Sequence, residues 1–215
     1  MRLERLEATQ RPEKLKAVFD GEALTVSASL CVQFSLCAGM ELDEEAFSAL
    51  KAAVAKEAAR ERAVRILTAS AVSERELEKR LLQKGMLPSD AADAVVWLKE
   101  HRFLDDAATA AQLVDSAVRK GYGRARVKNI LYEKGIPKDL WDEALARIPA
   151  MDDAIDRFLA AKLRGRTADE KTIKKTIDAL LRRGFSYGEI RDALRRYEAD
   201  LEDLELEETM TEELE

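Results

Sequence analysis

Few side chains in this sequence have both the chemical type and the spacing that catalysis or metal binding requires. The chain has one histidine, His101, and two cysteines, Cys31 and Cys37. A structural zinc site needs four ligands, and a serine or cysteine nucleophile needs a base within hydrogen-bonding reach. Neither the phosphate-binding pattern G-x-x-x-x-G-K-S/T nor the dinucleotide-binding pattern G-x-G-x-x-G occurs. We therefore predict a protein that acts by binding, without an active site, a metal or a cofactor.

Two adjacent pairs of acidic residues, Asp105-Asp106 and Asp152-Asp153, are the remaining candidates for a metal or acid–base site. Each pair lies where a helix is expected to begin, and an aspartate at that position caps free backbone N–H groups. We prefer the capping role and keep the metal or acid–base role as the alternative.

The basic residues carry more information. One cluster surrounds Gly121-Tyr122-Gly123, and a second follows in the last third of the chain. Bases interleaved with an aromatic residue and glycines can hold phosphate groups without reading base sequence. A solvated helix face is an equally weighted alternative, since acids such as Glu170 and Asp178 stand among the bases. The nine residues selected as candidate binding residues are Arg119, Lys120, Arg124, Arg126, Lys128, Lys174, Lys175, Arg182 and Arg183.

Charge is distributed unevenly along the chain. The net charge is −6, but residues 198–215 hold ten acids and no lysine or arginine, which leaves 36 bases against 32 acids in residues 1–197. A mildly basic body with an acidic tail indicates a polyanionic partner. The sequence has no apolar run long enough to span a bilayer and no secretory signal at its start, so we predict a cytoplasmic, monomeric protein without membrane contact.

The first 56 residues have a pattern of their own. Apolar residues alternate with polar ones from Leu15 to Phe19 and again from Leu24 to Leu36, and Asp20-Gly21 separates the two runs. Period-two alternation around Asp-Gly predicts a β-hairpin. The end of the second strand stays open, because residues 35–40 could also begin a helix. Asp43 is expected to cap a long helix that reaches about Ala69.

From there the chain repeats itself about every fifty residues. Gly85, Gly135 and Gly184 occupy equivalent positions. A leucine stands four residues before each glycine, a base one residue before it, and an alanine nine residues after it. A base followed by glycine predicts a helix end with glycine in the left-handed cap. With one preceding helix, each repeat is a three-helix module.

The fold class is therefore mainly α: three tandem three-helix modules in an elongated, curved array, preceded by a small β-hairpin region. The predicted boundaries are 1–56 for the hairpin and the start of the long helix, 57–103 for module 1, 104–149 for module 2, 150–197 for module 3 and 198–215 for the acidic tail. A helix-turn-helix reader of DNA sequence is disfavoured, because the shared positions are apolar or glycine where such readers expose polar residues.

These motifs together resemble the RecX family of bacterial regulators of the RecA recombinase. The resemblance rests on Leu104-Asp105-Asp106 at the start of module 2, Arg119-Lys120-Gly121 at the end of its first helix, and Arg182-Arg183-Gly184-Phe185 in module 3. It covers residues 59–197. One departure is Ala108-Thr109, where the family often has an aromatic residue.

The resemblance implies a regulator without catalytic activity that binds filaments of RecA on single-stranded DNA. Such a protein is expected to inhibit RecA's ATP hydrolysis, strand exchange and co-protease activity, with DNA bound weakly or through RecA. The alternative is a sequence-nonspecific nucleic-acid-binding module of tandem helical hairpins. A further hypothesis, from charge alone, is that the acidic tail competes with DNA for the basic surface.

Overall fold

The structure is a computed structural model that describes residues 1–163 and 170–198. It is mainly helical, with one small sheet at the N-terminal end, as the sequence predicts. The chain divides after Leu104 into two compact units. Apart from Glu198, the predicted acidic tail lies outside the described residues.

The sheet has three antiparallel strands, β1 Leu3–Ala8, β2 Lys14–Phe19 and β3 Glu22–Ser27, in that order. The hairpin predicted around Asp20-Gly21 is the β2–β3 pair, with φ of 41° and 86° at the two turn residues. Strand β1 was not predicted, because its apolar residues Leu3, Leu6 and Ala8 break the period of two where the register shifts between Leu3 and Arg5.

The alternation from Leu24 to Leu36 proves misleading after Ser27, where helix α1 (Ala28–Gln33) replaces the predicted strand. The Ser27 hydroxyl accepts a hydrogen bond of 3.1 Å from the Leu30 backbone N–H. This N-cap satisfies a backbone donor that a strand would need to pair with a neighbour. Cys31 is half-buried, and Cys37 is exposed in the loop beyond α1.

Helix α2 (Glu44–Ala69) connects the sheet to module 1. As predicted, Asp43 caps it, accepting from the Ala46 N–H at 2.7 Å. Its first half packs against the sheet, where the rings of Phe19 and Phe47 are 5.0 Å apart in an edge-to-face arrangement. Its second half carries Ala59 and Ala63, fully buried among the helices of module 1.

Module 1 is completed by α3 (Glu74–Gln83) and α4 (Pro88–Glu100). Leu104, which the sequence placed at the start of module 2, is buried in the core of module 1. The carboxylate of Asp93 on α4 accepts hydrogen bonds of 3.0 and 2.8 Å from Arg60 and is paired with Lys56 at 2.5 Å, so it holds α4 to α2. Partial burial opposes its ionisation, but the hydrogen bonds and charges of Lys56 and Arg60 outweigh burial and lower the pKa of Asp93.

Module 2 contains α5 (Asp106–Arg119), α6 (Arg124–Glu133), a 3₁₀ turn (Lys138–Leu140) and a short helix α7 (Trp141–Ala146). Asp105 caps α5 by accepting from the Ala107 and Ala108 N–H groups at 2.8 and 3.1 Å. The capping role preferred for Asp105 is thus present.

Module 3 contains α8 (Asp152–Leu163), α9 (Glu170–Arg182) and a final helical stretch, 187–198, which we name α10. A complete capping box begins α10, since Glu189 accepts from the Ser186 N–H at 2.7 Å and Ser186 accepts from the Glu189 N–H at 3.2 Å.

The positions that the repeats share are packing positions. The leucines before the glycines are fully buried, and the alanines after them are buried in all three modules. Gly85, Gly135 and Gly184 have φ of 79°, 70° and 88°, the left-handed conformation expected after a helix end. The periodicity therefore specifies three small cores of the same design.

Candidate binding surface

Modules 2 and 3 meet where the loop before α6 packs against the turn between α9 and α10. The Gly123 N–H donates to the Arg183 carbonyl at 2.8 Å, and the Ala125 N–H donates to the Gly184 carbonyl at 3.1 Å. No side chain caps α6, so these two carbonyl groups of module 3 satisfy N–H groups at its start instead. We call residues 120–126 and 183–185 the joint.

The joint requires two glycines for different reasons. A Cβ atom on Gly184 would lie 2.2 Å from the Arg126 backbone nitrogen, and the residue has φ of 88°. A Cβ atom on Gly123 would lie 2.4 Å from the Gly184 carbonyl oxygen, although the φ of Gly123 is an ordinary −76°. The sequence suggested that the Gly121-Tyr122-Gly123 loop binds phosphate. In the structure Gly123 is buried against module 3, and its N–H already donates to the Arg183 carbonyl.

Arg183 has its own contacts within the joint. Its guanidinium donates to the Lys120 carbonyl at 3.4 Å and lies 4.7 Å from the centre of the Phe158 ring. The side chain is half-buried. A cation over an aromatic face is stabilised by the ring quadrupole, so Phe158, which lies on α8 of the same module, steadies the Arg183 side chain. The hydrogen bond to the Lys120 carbonyl is the contact of this side chain that reaches module 2.

Two candidates on α6 also have partners inside module 2. Arg124 donates to the Leu145 carbonyl at 3.2 Å, at the end of α7. Arg126 lies 3.5 Å from the Glu133 carboxylate. Both side chains are thus partly engaged in contacts within module 2.

The other six candidates are exposed, and within residues 1–163 and 170–198 none of them forms an ion pair. They are Arg119, Lys120, Lys128, Lys174, Lys175 and Arg182. The joint brings the backbone of Lys120 into contact with Arg183, the neighbour of Arg182 in the sequence. Exposed bases about sixty residues apart in the sequence therefore flank one joint, which no pattern in the sequence indicates.

Helix α9 extends this surface away from the joint. Thr176 and Leu180 on its inner face are buried, whereas Lys174, Lys175 and Arg182 are exposed. Lys175 and Arg182 are seven residues apart, which places them on the same side of the helix about 10 Å from each other. The exposed bases thus form a row along α9, in which the exposed Asp178 lies between Lys175 and Arg182.

One feature of the surface was not predicted from the sequence. The residue three positions before each repeated glycine is a large apolar side chain that stays exposed: Leu82 at 41%, Tyr132 at 69% and Leu181 at 42%. Tyr132 lies on the same face of α6 as Arg124 and Lys128, since the three are four residues apart. The signal was present in the repeats, but only the structure shows that these side chains face solvent.

In residues 1–163 and 170–198, no group of three or more His, Cys, Asp or Glu side chains is arranged to hold a metal ion. Over the same residues, no helix has the length and apolar character needed to cross a membrane.

Comparison with known proteins places the modules in a family. Models of the first, second and third three-helix domains of RecX match residues 59–98, 105–145 and 152–194. The regulatory protein RecX of Cronobacter sakazakii is 33% identical over 153 residues, which cover 64% of this chain and 91% of that protein. The regulatory protein RecX of an Escherichia coli O1:K1 strain is 32% identical over 151 residues, with 64% and 90% covered.

Two solved structures have the same fold. A crystal structure of regulatory protein RecX superimposes with a TM-score of 0.67 and 23% identity, covering 89% of this chain and 98% of that one. The crystal structure of RecX from Lactobacillus salivarius gives a TM-score of 0.61 and 18% identity, covering 68% and 99%.

Proposed function

Because this chain belongs to the RecX family, we propose that it regulates the RecA recombinase by binding RecA filaments on single-stranded DNA. The observation that carries the proposal is the row of exposed bases on α9, together with the exposed Arg119 and Lys120 beside the joint. A nucleic acid, or the acidic groove of a protein filament, can supply the negative charge that these bases lack within the described chain.

The joint supports this function by fixing the geometry of the surface. Two backbone hydrogen bonds and the hydrogen bond from Arg183 to the Lys120 carbonyl hold module 3 against module 2. Bases carried by two modules are then presented in one arrangement, so binding does not require that the modules first be ordered relative to each other. Free lysines and arginines on separate flexible modules would lose more entropy on binding.

The direction of regulation that we infer is inhibition, exerted by occupation of the filament. A protein that has no active site can act on the filament only by favouring some of its states over others. RecA's ATP hydrolysis, strand exchange and co-protease activity then change with the state that is favoured. We further infer that the protein works as a monomer in the cytoplasm and meets DNA mainly through RecA.

The direct test measures ATP hydrolysis by the cognate RecA on single-stranded DNA while this protein is added well below the RecA concentration. We expect the rate to fall at sub-stoichiometric amounts. A rate that does not change at any ratio, with RecA active and this protein folded, contradicts the proposal.

A second candidate function is nonspecific binding of single-stranded nucleic acid without RecA. Tyr132, exposed next to Arg124 and Lys128 on α6, favours it, because bases stack on exposed aromatic rings beside cations. This function predicts tight binding to naked oligonucleotide with a steep dependence on salt. The regulator, in contrast, acts on filaments even when its own affinity for DNA is weak.

A further inference from the structure

Three arginines converge on one cleft in the first unit, far in sequence from the surface described above. A surface cleft of about 300 Å³ is lined by Arg62 and Arg65 of α2, Arg80 of α3, and the apolar side chains of Ile66 and Ala69. We propose that this cleft binds a phosphate group, either within a nucleic-acid backbone or on a small phosphorylated molecule.

Arg80 is held in position before any ligand arrives. Its guanidinium donates to the Ser70 hydroxyl at 3.0 Å and to the Glu76 carboxylate one turn earlier on α3. Two of the five guanidinium donors are thus fixed, while the group stays at the wall of the cleft. Fixing the donor in advance reduces the entropy that binding would remove.

The charges of Arg62 and Arg65 are not neutralised. Within the described residues Arg62 forms no ion pair, and Arg65 donates only to the Glu61 backbone carbonyl at 3.4 Å. The nearby carboxylates of Glu61 and Glu57 are both engaged by Lys14 from β2. Glu76 pairs with Arg80, whereas Arg62 and Arg65 form no ion pair within the described residues. The cleft therefore has a surplus of positive charge.

Packing of the module does not require these arginines. Module 2 has the same design fifty residues later, and its counterpart positions hold Gln112, Asp115 and Ile130. Apart from the contacts of Arg80 with Ser70 and Glu76, the fold therefore gives no reason for three guanidinium groups around an apolar floor. Arginine's planar fork matches the oxygens of phosphate in two-point hydrogen bonds, and Ile66 and Ala69 suit an attached sugar or base.

This proposal is independent of RecA, so its failure can be told apart from failure of the proposed function. The test titrates the full chain, alone, with inorganic phosphate and then with a short oligothymidylate, at constant ionic strength. Amide and arginine side-chain NMR signals of the cleft residues are the readout. We expect saturable shifts at Arg62, Arg65 and Arg80.

The variant Arg62→Gln, Arg65→Gln removes both surplus charges, and we expect its affinity to fall about tenfold or more. Arg75→Gln is the matched control, because Arg75 is exposed on α3 but does not line the cleft. Shifts with both ligands indicate a general phosphate site, and shifts with the oligonucleotide alone indicate a backbone phosphate. Absence of shifts with either ligand, or shifts that persist unchanged in the double variant, overturns the proposal.

Discussion

The backbone N–H of Gly123 donates a 2.8 Å hydrogen bond to the carbonyl of Arg183, sixty residues later in the chain. A helix in one module is thereby capped by the main chain of the next. In module 1 the equivalent position is Ser73, whose hydroxyl caps α3 by accepting from the Glu76 N–H at 3.1 Å. With serine at this position, α3 is capped by a side chain of its own module; with glycine, α6 is capped by backbone carbonyls of the next module.

This contact predicts an unusual response to Gly123→Ser. At an ordinary N-cap, serine is at least as favourable as glycine. Here the added side chain would meet the Gly184 backbone, which cannot move without disrupting the joint. We expect a decrease of about 1–3 kcal/mol in the free energy of unfolding of the second unit, measured by urea denaturation. Gly188→Ser, at an open position on α10, is the control and should change stability little.

The division of the bases into engaged and free groups predicts different effects of removing them. Arg124→Gln removes the hydrogen bond to the Leu145 carbonyl and should destabilise the second unit by about 1 kcal/mol. Lys128→Gln, one turn later on the exposed face, should leave the unfolding midpoint unchanged. Equal midpoints for the two variants in thermal denaturation would show that the Arg124 hydrogen bond does not contribute.

The row of bases on α9 is tested by reversing its charge. Lys174→Glu, Lys175→Glu should weaken inhibition of RecA's ATP hydrolysis and reduce the salt dependence of DNA binding, by about 1 in the log–log slope for each phosphate that is no longer bound. Both residues are exposed, so stability should be preserved. The control reverses Arg75 and Lys79, two exposed bases on α3. An equal decrease of inhibition in both double variants would argue for a general charge effect.

The acidic tail hypothesis is tested by ending the chain at Glu198. If the tail competes with DNA for the exposed bases of the second unit, its removal should strengthen oligonucleotide binding and steepen the salt dependence. Anisotropy of a labelled oligothymidylate across several salt concentrations measures both. Identical affinity and slope with and without residues 199–215 would rule the competition out.

Asp93 predicts how the first unit responds to pH. Its pKa is lowered from an ordinary value of 3.8 in the folded state, so its ion pairs with Lys56 and Arg60 contribute fully above that value and are lost as pH falls through the lowered pKa. At neutral pH, Asp93→Asn should cost about 1 kcal/mol of unfolding free energy. The difference from the parent should vanish at pH below the lowered pKa.

The measurement uses Trp97, which lies in the same unit with the Arg60 guanidinium 5.2 Å from its ring centre. Urea unfolding followed by its fluorescence, in a Trp141→Phe background, reports the first unit. Asp115→Asn is the control, because its partner Arg147 lies in the second unit. If the difference in unfolding free energy between Asp93→Asn and its parent stayed constant from pH 7 to the acid limit, Asp93 would not be the group that titrates with a lowered pKa.

Much of the fold could be predicted because its signals are local. The repeated leucines, glycines and alanines identify the three modules, since each residue performs its role within one module: filling its core or ending its helix. Asp43, Asp105 and Ser186 could be recognised as caps for the same reason. The alternation after Ser27 misled because period-two patterning does not exclude a short, well-capped helix.

The candidate surface was only partly predictable. Its charged residues are visible in the sequence, but which of them are free depends on partners distant in the chain. The Leu145 carbonyl engages Arg124, and Phe158 and the Lys120 carbonyl engage Arg183. The arginine cleft of the first unit was missed altogether, since Arg80 is contributed by a different helix from Arg62 and Arg65.

Local patterns in the amino-acid sequence thus specify the number of modules, the ends of most helices and the family, because all three follow from short-range periodicity and capping. Tertiary packing sets which bases are exposed, which surfaces they share and why Gly123 and Gly184 tolerate no side chain. The physical reason is distance along the chain: hydrogen bonds and close backbone contacts between residues sixty apart depend on how one module packs against the next, and such single contacts leave no periodic trace in the sequence.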